Sequence, residues 1–236
     1  MHIRGVKPGQ ERRNRFHETI VWNIDPGKTV FLVIDMQNAF VDEKGLLYVP
    51  SARDTVPKIN RIARACREHG ILVIWVRMLR RPDGLDLGYI FAFSPDQAGA
   101  PTMGYSEGTK GAEFYPELKI QNEDLIVTKK RYSAFIPGSS NLERILRYMN
   151  KGTIIITGVA TNVCYGTTAM DAMMLDYKVI FIDNANAALG EVTPEGYGPG
   201  IVQEAYLNTL RACFTMVCTT DEIIEQIGDL PKTRRR

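Results

Sequence analysis

TVFLVID, residues 29–35, is an unbroken apolar run closed by an acid. Such a run offers no polar face to water, so it suits a strand buried on both sides. The chain around it repeats the theme. A helix is expected over about 55–69, with Val56, Ile59, Ala63 and Cys66 at helical spacing and Gly70 as its stop. ILVIWVR (71–77) and DLIVTK (124–129) read as the second and third strands. A helix over 141–149 carries Leu142, Ile145, Leu146 and Met149 on one stripe. TIIIT (153–157) is a fourth strand, followed by a helix over about 162–175. KVIFID (178–183) is a fifth, and after a helix over 201–213, residues 214–217 form a short last strand. Thr220 is expected to cap a terminal helix with Asp221 and Glu222 in its first turn.

Strands alternating with helices imply βαβ units. The expected fold is α/β, a three-layer α-β-α sandwich around a mostly parallel, doubly wound sheet of about six strands. Ligands in such sheets bind beyond the carboxyl ends of the strands, where the strand order reverses. Residues 78–122 break the alternation. They are rich in Gly and Pro, which marks a lid or binding segment.

The 236 residues are 44% apolar and 24% charged, an ordinary globular mix that excludes fibrous and disordered classes. No apolar run reaches the ~18 residues of a membrane helix, and the first residues have no apolar leader core, so a cytoplasmic protein is expected. Four Cys are too few for a disulfide scaffold and lack zinc spacing, so reduced thiols are expected. The net charge of +2 is uneven: residues 1–20 and 228–236 each carry +3, leaving −4 for the remainder. A core of that sign argues against a nucleic-acid partner. The chain is therefore divided into an extension (1–27), one domain (28–227) and a basic, solvated tail (228–236).

Three strand ends carry the chemistry. Asp35 closes the first strand and Lys129 the third, while Cys164 follows the fourth, in GVATNVC (158–164), at the start of a helix. A carboxylate, an ammonium and a thiol would meet at one sheet edge. Only a thiolate is a strong nucleophile. A helix N-terminus and Lys129 would favour it, and Asp35 would take its proton and return it to a leaving nitrogen. The turn before Cys164 could aim N–H groups at a carbonyl oxygen. This grouping suits acyl transfer through a thioester. His2, His17 and His69 lie away from these residues, so neither a Cys–His pair nor a His-rich metal site is expected. There is no glycine-rich dinucleotide or phosphate loop. Asp83 and Asp86 read as solvated loop acids, and GYGPG (196–200) as a turn. No cofactor is expected.

VIDMQNAF (33–40), TKKRYSAF (128–135) and TGVATNVCYGTTAMDAMMLDY (157–177) occur in order. Together they resemble the isochorismatase-like cysteine hydrolases, a superfamily that includes nicotinamidase and N-carbamoylsarcosine, biuret and ureidoacrylate hydrolases. The likeness spans about 28–227. It implies a catalytic triad of Asp35, Lys129 (not its neighbour Lys130) and Cys164. It also implies a cis peptide between Val159 and Ala160, and an oxyanion hole made by the N–H groups of Ala160 and Cys164. A homodimer or homotetramer is implied too. Members that cleave isochorismate lack the cysteine, so Cys164 favours amide or ureide cleavage. Nicotinamidases usually carry a metal site of Asp and His after the second strand. The corresponding RMLRRPDGLDLGYI (77–90) has no His, so no metal is implied.

The expected function is therefore a metal-independent cysteine amidohydrolase. Its substrate would be a small ureido or N-carbamoyl compound of ureidoacrylate, biuret or triuret type, cleaved with release of ammonia. An amidase for a simple carboxamide such as maleamate or nicotinamide is the alternative, and a non-catalytic binding protein of the same fold is another. Candidate substrate-binding residues are Phe40, Trp75, Phe135 and Tyr165 as aromatic walls and Arg77 as a partner for a carboxylate or carbonyl.

Overall fold

The computed structural model describes residues 2–4, 19–93, 104–190, 194 and 196–232, with side chains described for 21–90, 104–190, 194 and 196–232. Most of the N-terminal extension, residues 94–103 of the irregular segment and the arginines that end the basic tail lie outside the described residues. Two short strands, β1 (His2–Arg4) and β2 (Thr19–Val21), pair antiparallel. The main sheet comprises β3 (Thr29–Ile34), β4 (Leu72–Met78), β5 (Leu125–Lys129), β6 (Thr153–Val159), β7 (Lys178–Ala187) and β8 (Met216–Cys218). Its order is β5-β4-β3-β6-β7-β8, and every neighbouring pair is parallel. The sequence-based expectation of a six-stranded parallel sheet matches this sheet.

The layers follow from the two-residue period of the strands. Along β3 every residue is buried. Val30, Leu32 and Ile34 pack with α3 (Leu142–Tyr148), α4 (Cys164–Met174) and α5 (Pro199–Cys213), through Leu146, Ala169, Ala172 and Leu210. Phe31 and Val33 point the other way, onto α2 (Ala52–Glu68) and α6 (Thr220–Gly228), through Val56, Ile59, Ile62, Ile223 and Ile227. The strand thus has a hydrophobic layer on each face, which is why no alternation is visible in its sequence.

Some boundaries differ from the sequence reading. Helix α2 starts three residues earlier, because buried Ala52 is already drawn into the core. A four-residue helix, α1 (Asn38–Val41), follows β3 and carries no periodic signal of its own. The cap of α6 is Thr219, not Thr220: its side chain accepts from the Glu222 N–H at 3.2 Å, and Glu222 accepts from the Thr219 N–H at 2.9 Å. Thr220 instead donates its hydroxyl to Asn184 at 2.7 Å.

The chain runs outward from β3 through β4 to β5, then returns to lay β6 on the other side of β3. The switch point therefore lies between β3 and β6. The two strands approach closely there at Gly158, whose φ is +122°. A Cβ at Gly158 would stand 2.1 Å from the Ile34 carbonyl oxygen and 2.6 Å from its nitrogen. Gly158→Ala is accordingly expected to destabilise the fold by at least about 3 kcal/mol, the range of backbone clash plus left-handed strain. Urea unfolding measures it; stability equal to wild type would contradict this account of the crossing.

Candidate active site

The switch point gathers the three strand-end groups. Asp35 stands just past β3 with φ +54°, its N–H donating to the Val76 carbonyl at 2.8 Å. Lys129 ends β5, two strands away. Its long side chain reaches past Met78, whose Sδ is 3.4 Å from Nζ, to place Nζ 2.7 Å from Asp35 Oδ2. Nζ also donates to the Arg131 carbonyl at 3.0 Å. Cys164 is the first residue of α4, and its thiol lies close enough to Asp35 and Lys129 to feel the charge of both. Asp35 and Lys129 are 1% and 0% exposed, and Cys164 is 6%. The neighbouring Lys130 turns outward to Asp86 at 3.3 Å and is half-exposed.

The turn joining β6 to α4 is built to present N–H groups. The Val159–Ala160 peptide is cis. The Ala160 carbonyl accepts from the N–H groups of Val163 (3.0 Å) and Tyr165 (3.1 Å), which folds the segment back on itself. Among the described residues, the N–H groups of Ala160 and Cys164 donate to no other group. The Cys164 carbonyl accepts from the Thr168 hydroxyl at 2.6 Å, and Thr168 accepts from the Ala134 N–H at 3.2 Å, tying α4 to the segment after β5.

A cavity of about 460 Å³ opens over these groups. Asp35, Cys164 and Ala160 form its floor; Phe40, Leu47, Met78, Tyr105, Tyr132 and Leu189 are among its walls. The architecture and the order of these elements are those of one known domain: the isochorismatase domain model matches residues 29–222. The chain belongs to the isochorismatase family. It is 37% identical to a probable inactive nicotinamidase of Arabidopsis thaliana over 171 residues, 71% of this chain and 83% of that one. It is 29% identical to the ureidoacrylate amidohydrolase RutB of Variovorax paradoxus over 225 residues, 85% of this chain and 81% of that one. Among solved structures, a cysteine hydrolase from Pseudomonas syringae pv. phaseolicola superposes with a TM-score of 0.81 at 34% identity, covering 89% of this chain and 97% of that one.

In this isochorismatase-family cavity, only Phe40 of the four aromatic candidates lines the wall, where it stacks on Tyr105 at 5.7 Å. The other three require correction. Trp75 faces the α2 layer, and its Nε1 donates to Asp124 at 2.8 Å. Tyr165, in the first turn of α4, is buried and stacked on Phe181 of β7 at 4.0 Å, with its hydroxyl donating to the Ile156 carbonyl at 2.9 Å. Phe135 packs on Tyr177 at 5.5 Å. In each case an apolar ring was drawn to the core that the helices bury. Arg77 is corrected too: its guanidinium lies over the Phe114 ring at 5.9 Å, away from the cavity lining. Sequence reasoning missed Tyr105, Tyr132, Asn162, Thr167 and Leu189. The first sits in an aperiodic segment. Asn162, however, lies inside the GVATNVC motif; it exchanges two 2.9 Å hydrogen bonds with the backbone of Leu189, which fixes that wall.

Burial pushes the Cys164 thiol up to about 12, while Lys129, expected to favour the thiolate, opposes that rise. Burial likewise raises the Asp35 carboxyl above its ordinary value, again against the pull of Lys129. Lys129 is held charged by Asp35 despite its own burial. Among the described residues, no group of three His, Cys, Asp or Glu side chains is assembled that could hold a metal ion. No helix among them is long and apolar enough to cross a membrane.

Proposed function

We propose that this chain is a cysteine amidohydrolase that cleaves a small ureido or N-carbamoyl compound through a thioester and releases ammonia. The observation that carries the reading is the buried Asp35–Lys129–Cys164 cluster on a cavity floor beside two uncommitted N–H groups. The similarity to a RutB ureidoacrylate amidohydrolase and to a cysteine hydrolase supports it.

The chemistry follows from this grouping. As Cys164 Sγ bonds to the substrate carbonyl carbon, its proton passes to the Asp35 carboxylate, so the thiolate need never accumulate alone. The carbonyl oxygen becomes an oxyanion held by the Ala160 and Cys164 N–H groups. The C–N bond then breaks, and Asp35 delivers the proton to the leaving nitrogen. A water molecule next gives its proton to Asp35 and adds to the thioester. The C–S bond breaks, and the proton returns to Sγ. Lys129 keeps Asp35 oriented and stabilises negative charge on either partner.

Two measurements test this. Ammonia release from ureidoacrylate, biuret, triuret, N-carbamoylsarcosine, maleamate and nicotinamide is expected for at least one ureide and to depend on Cys164. Turnover of only a carboxamide would favour the alternative substrate class. The similarity to a probable inactive nicotinamidase supports a second, non-catalytic reading, and silence across the panel would favour it. The pH profile is the other test. Asp35 acts as a base only when ionised, and burial raises its pKa. Activity is therefore expected to fall about tenfold per pH unit below that raised pKa, on an acid limb above the ordinary Asp range. Asp35→Asn should remove the limb together with roughly 10²–10⁴-fold of the rate. A limb at or below the ordinary Asp pKa would contradict the assignment of Asp35 as base.

A further inference from the structure

Strand β7 does not run evenly beside β6. Ile156 pairs with Phe181, but Gly158 pairs with Asn186, so residues 182–185 of β7 stand opposite residue 157 alone. A bulge of this kind bends its strand and re-aims the side chains around it. Asn186 closes it, its Nδ2 donating to the Ile182 carbonyl across the bulge. The Tyr165 hydroxyl spans the same gap, donating to the Ile156 carbonyl at 2.9 Å and to the Ile182 carbonyl at 3.3 Å. Asn186 is buried, and Gln203 of α5 donates its Nε2 to the Asn186 Oδ1. The Asn186 amide is therefore held at both ends.

The turn that carries the Ala160 and Cys164 N–H groups is laid on this frame. Thr161 is buried, with no exposed surface. Its N–H donates to the Ala187 carbonyl at 2.9 Å, and its hydroxyl donates to Asn186 Oδ1 at 2.6 Å. Two bonds thus fix the backbone and the side chain of the residue next to Ala160. The N–H groups of Ala160 and Cys164 donate to no other group among the described residues, so their aim is set by their neighbours. Stabilising an oxyanion needs donors already in place, to within about 0.5 Å. Thr161 and Asn186 are absent from the cavity lining, so they act on it through the backbone.

We infer that Thr161 and Asn186 are positioning residues for the oxyanion hole: the amide that closes the β7 bulge grips the Thr161 hydroxyl, and this grip keeps the Ala160 N–H aimed at the carbonyl oxygen under attack. This rests on the amidohydrolase reading of the site and deepens it. Control of the hole then comes partly from β7 and α5, which lie outside the GVATNVC motif.

The test captures an aldehyde. Cys164 Sγ adds to the carbonyl carbon of propanal, the C–O π bond breaks, and the thiol proton passes to the oxygen, which comes to rest at the two N–H groups. Propanal is titrated as a reversible protector of Cys164 against iodoacetamide. The Cys164 peptide is followed by mass spectrometry, which separates it from the exposed Cys213. Thr161→Val keeps the shape of the side chain and loses the hydroxyl. It is expected to weaken protection roughly tenfold or more, a part of the ~10²–10³-fold that losing a hole donor outright costs. Alkylation without propanal attacks a methylene carbon and uses no hole, so its rate should stay at the wild-type value. Thr161→Ser, which restores the hydroxyl, should restore protection. Asn186→Ala should weaken protection as Thr161→Val does, and the double variant no further, because both remove one tie. Undiminished protection in Thr161→Val overturns the inference, and so do additive losses in the double variant. An equal fall in alkylation overturns it too, since the hydroxyl would then place the thiol. A valine variant that fails to fold while the serine variant folds makes the hydroxyl a fold determinant and overturns it as well. The underlying reading fails differently: wild type that propanal does not protect rejects the hole itself.

Discussion

Cys164→Ala is expected to lower kcat for amide hydrolysis by at least about 10⁴-fold, the scale on which a lone nucleophile is lost from a coupled catalytic group. The chain should remain folded. Alanine keeps the first residue of α4, both N–H groups of the turn and the Asp35–Lys129 pair. It removes one sulfur from a site that is 6% exposed, a change of about 1 kcal/mol or less beside an open cavity. Ligand affinity should be nearly unchanged, since the sulfur bonds only during reaction. Steady-state ammonia release and urea unfolding measured together decide the matter. Retained turnover would remove Cys164 as nucleophile. Collapse of stability would show that the thiol is structural.

Lys129→Met is expected to affect activity and stability together. It leaves the Asp35 carboxylate buried with no cation at 2.7 Å, and it strips the Arg131 carbonyl of a donor. Removing one partner of a buried pair costs about 3–5 kcal/mol. The sign with pH is fixed by Asp35. Its folded pKa, already raised by burial, rises further without Lys129. The folded variant then holds a proton that the unfolded chain gives up. Its stability should accordingly fall as pH rises from the unfolded Asp pKa toward the folded one. Unfolding at pH 5 and pH 8 reads this directly, and a pH-independent loss would contradict it. Asp35→Leu with Lys129→Met should recover much of the lost stability while remaining inactive, because an apolar pair of similar volume often replaces a buried ion pair without loss. That variant separates the pair's role in chemistry from its role in folding.

The parts that were legible in the sequence share a physical basis. Each strand of the sheet is a short apolar run, and a parallel sheet buried on both faces demands that pattern. Asp35, Lys129 and Cys164 were legible because each ends or follows such a run, so topology alone brings them to one edge. Lys129 and Lys130 were separable only through the motif; in the fold Lys129 ends β5 and turns inward to Asp35, while Lys130, just past the strand, turns outward to Asp86. Of the cavity walls, Phe40 was legible and most others were not. Tyr105 and Tyr132 lie in stretches with no period, where tertiary contacts alone decide which way a side chain turns. Trp75 and Arg77 were misdirected for a different reason, since the sequence did not show which face of a strand buried on both sides turns to the cavity. Both sit on β4, and their polar atoms meet Asp124 or the Phe114 ring on the far face of the sheet.

The strand order has a consequence for how the protein gains its activity during folding. Asp35 and Lys129 belong to the half of the sheet laid down first, β3 to β5, whereas Cys164 arrives with β6, after the chain has doubled back. A fragment ending before β6 would hold the charged pair and no nucleophile. Recovery of hydrolysis after dilution from denaturant would therefore report the closing of β6 onto β3, and a nascent chain would stay chemically silent until its second half had docked.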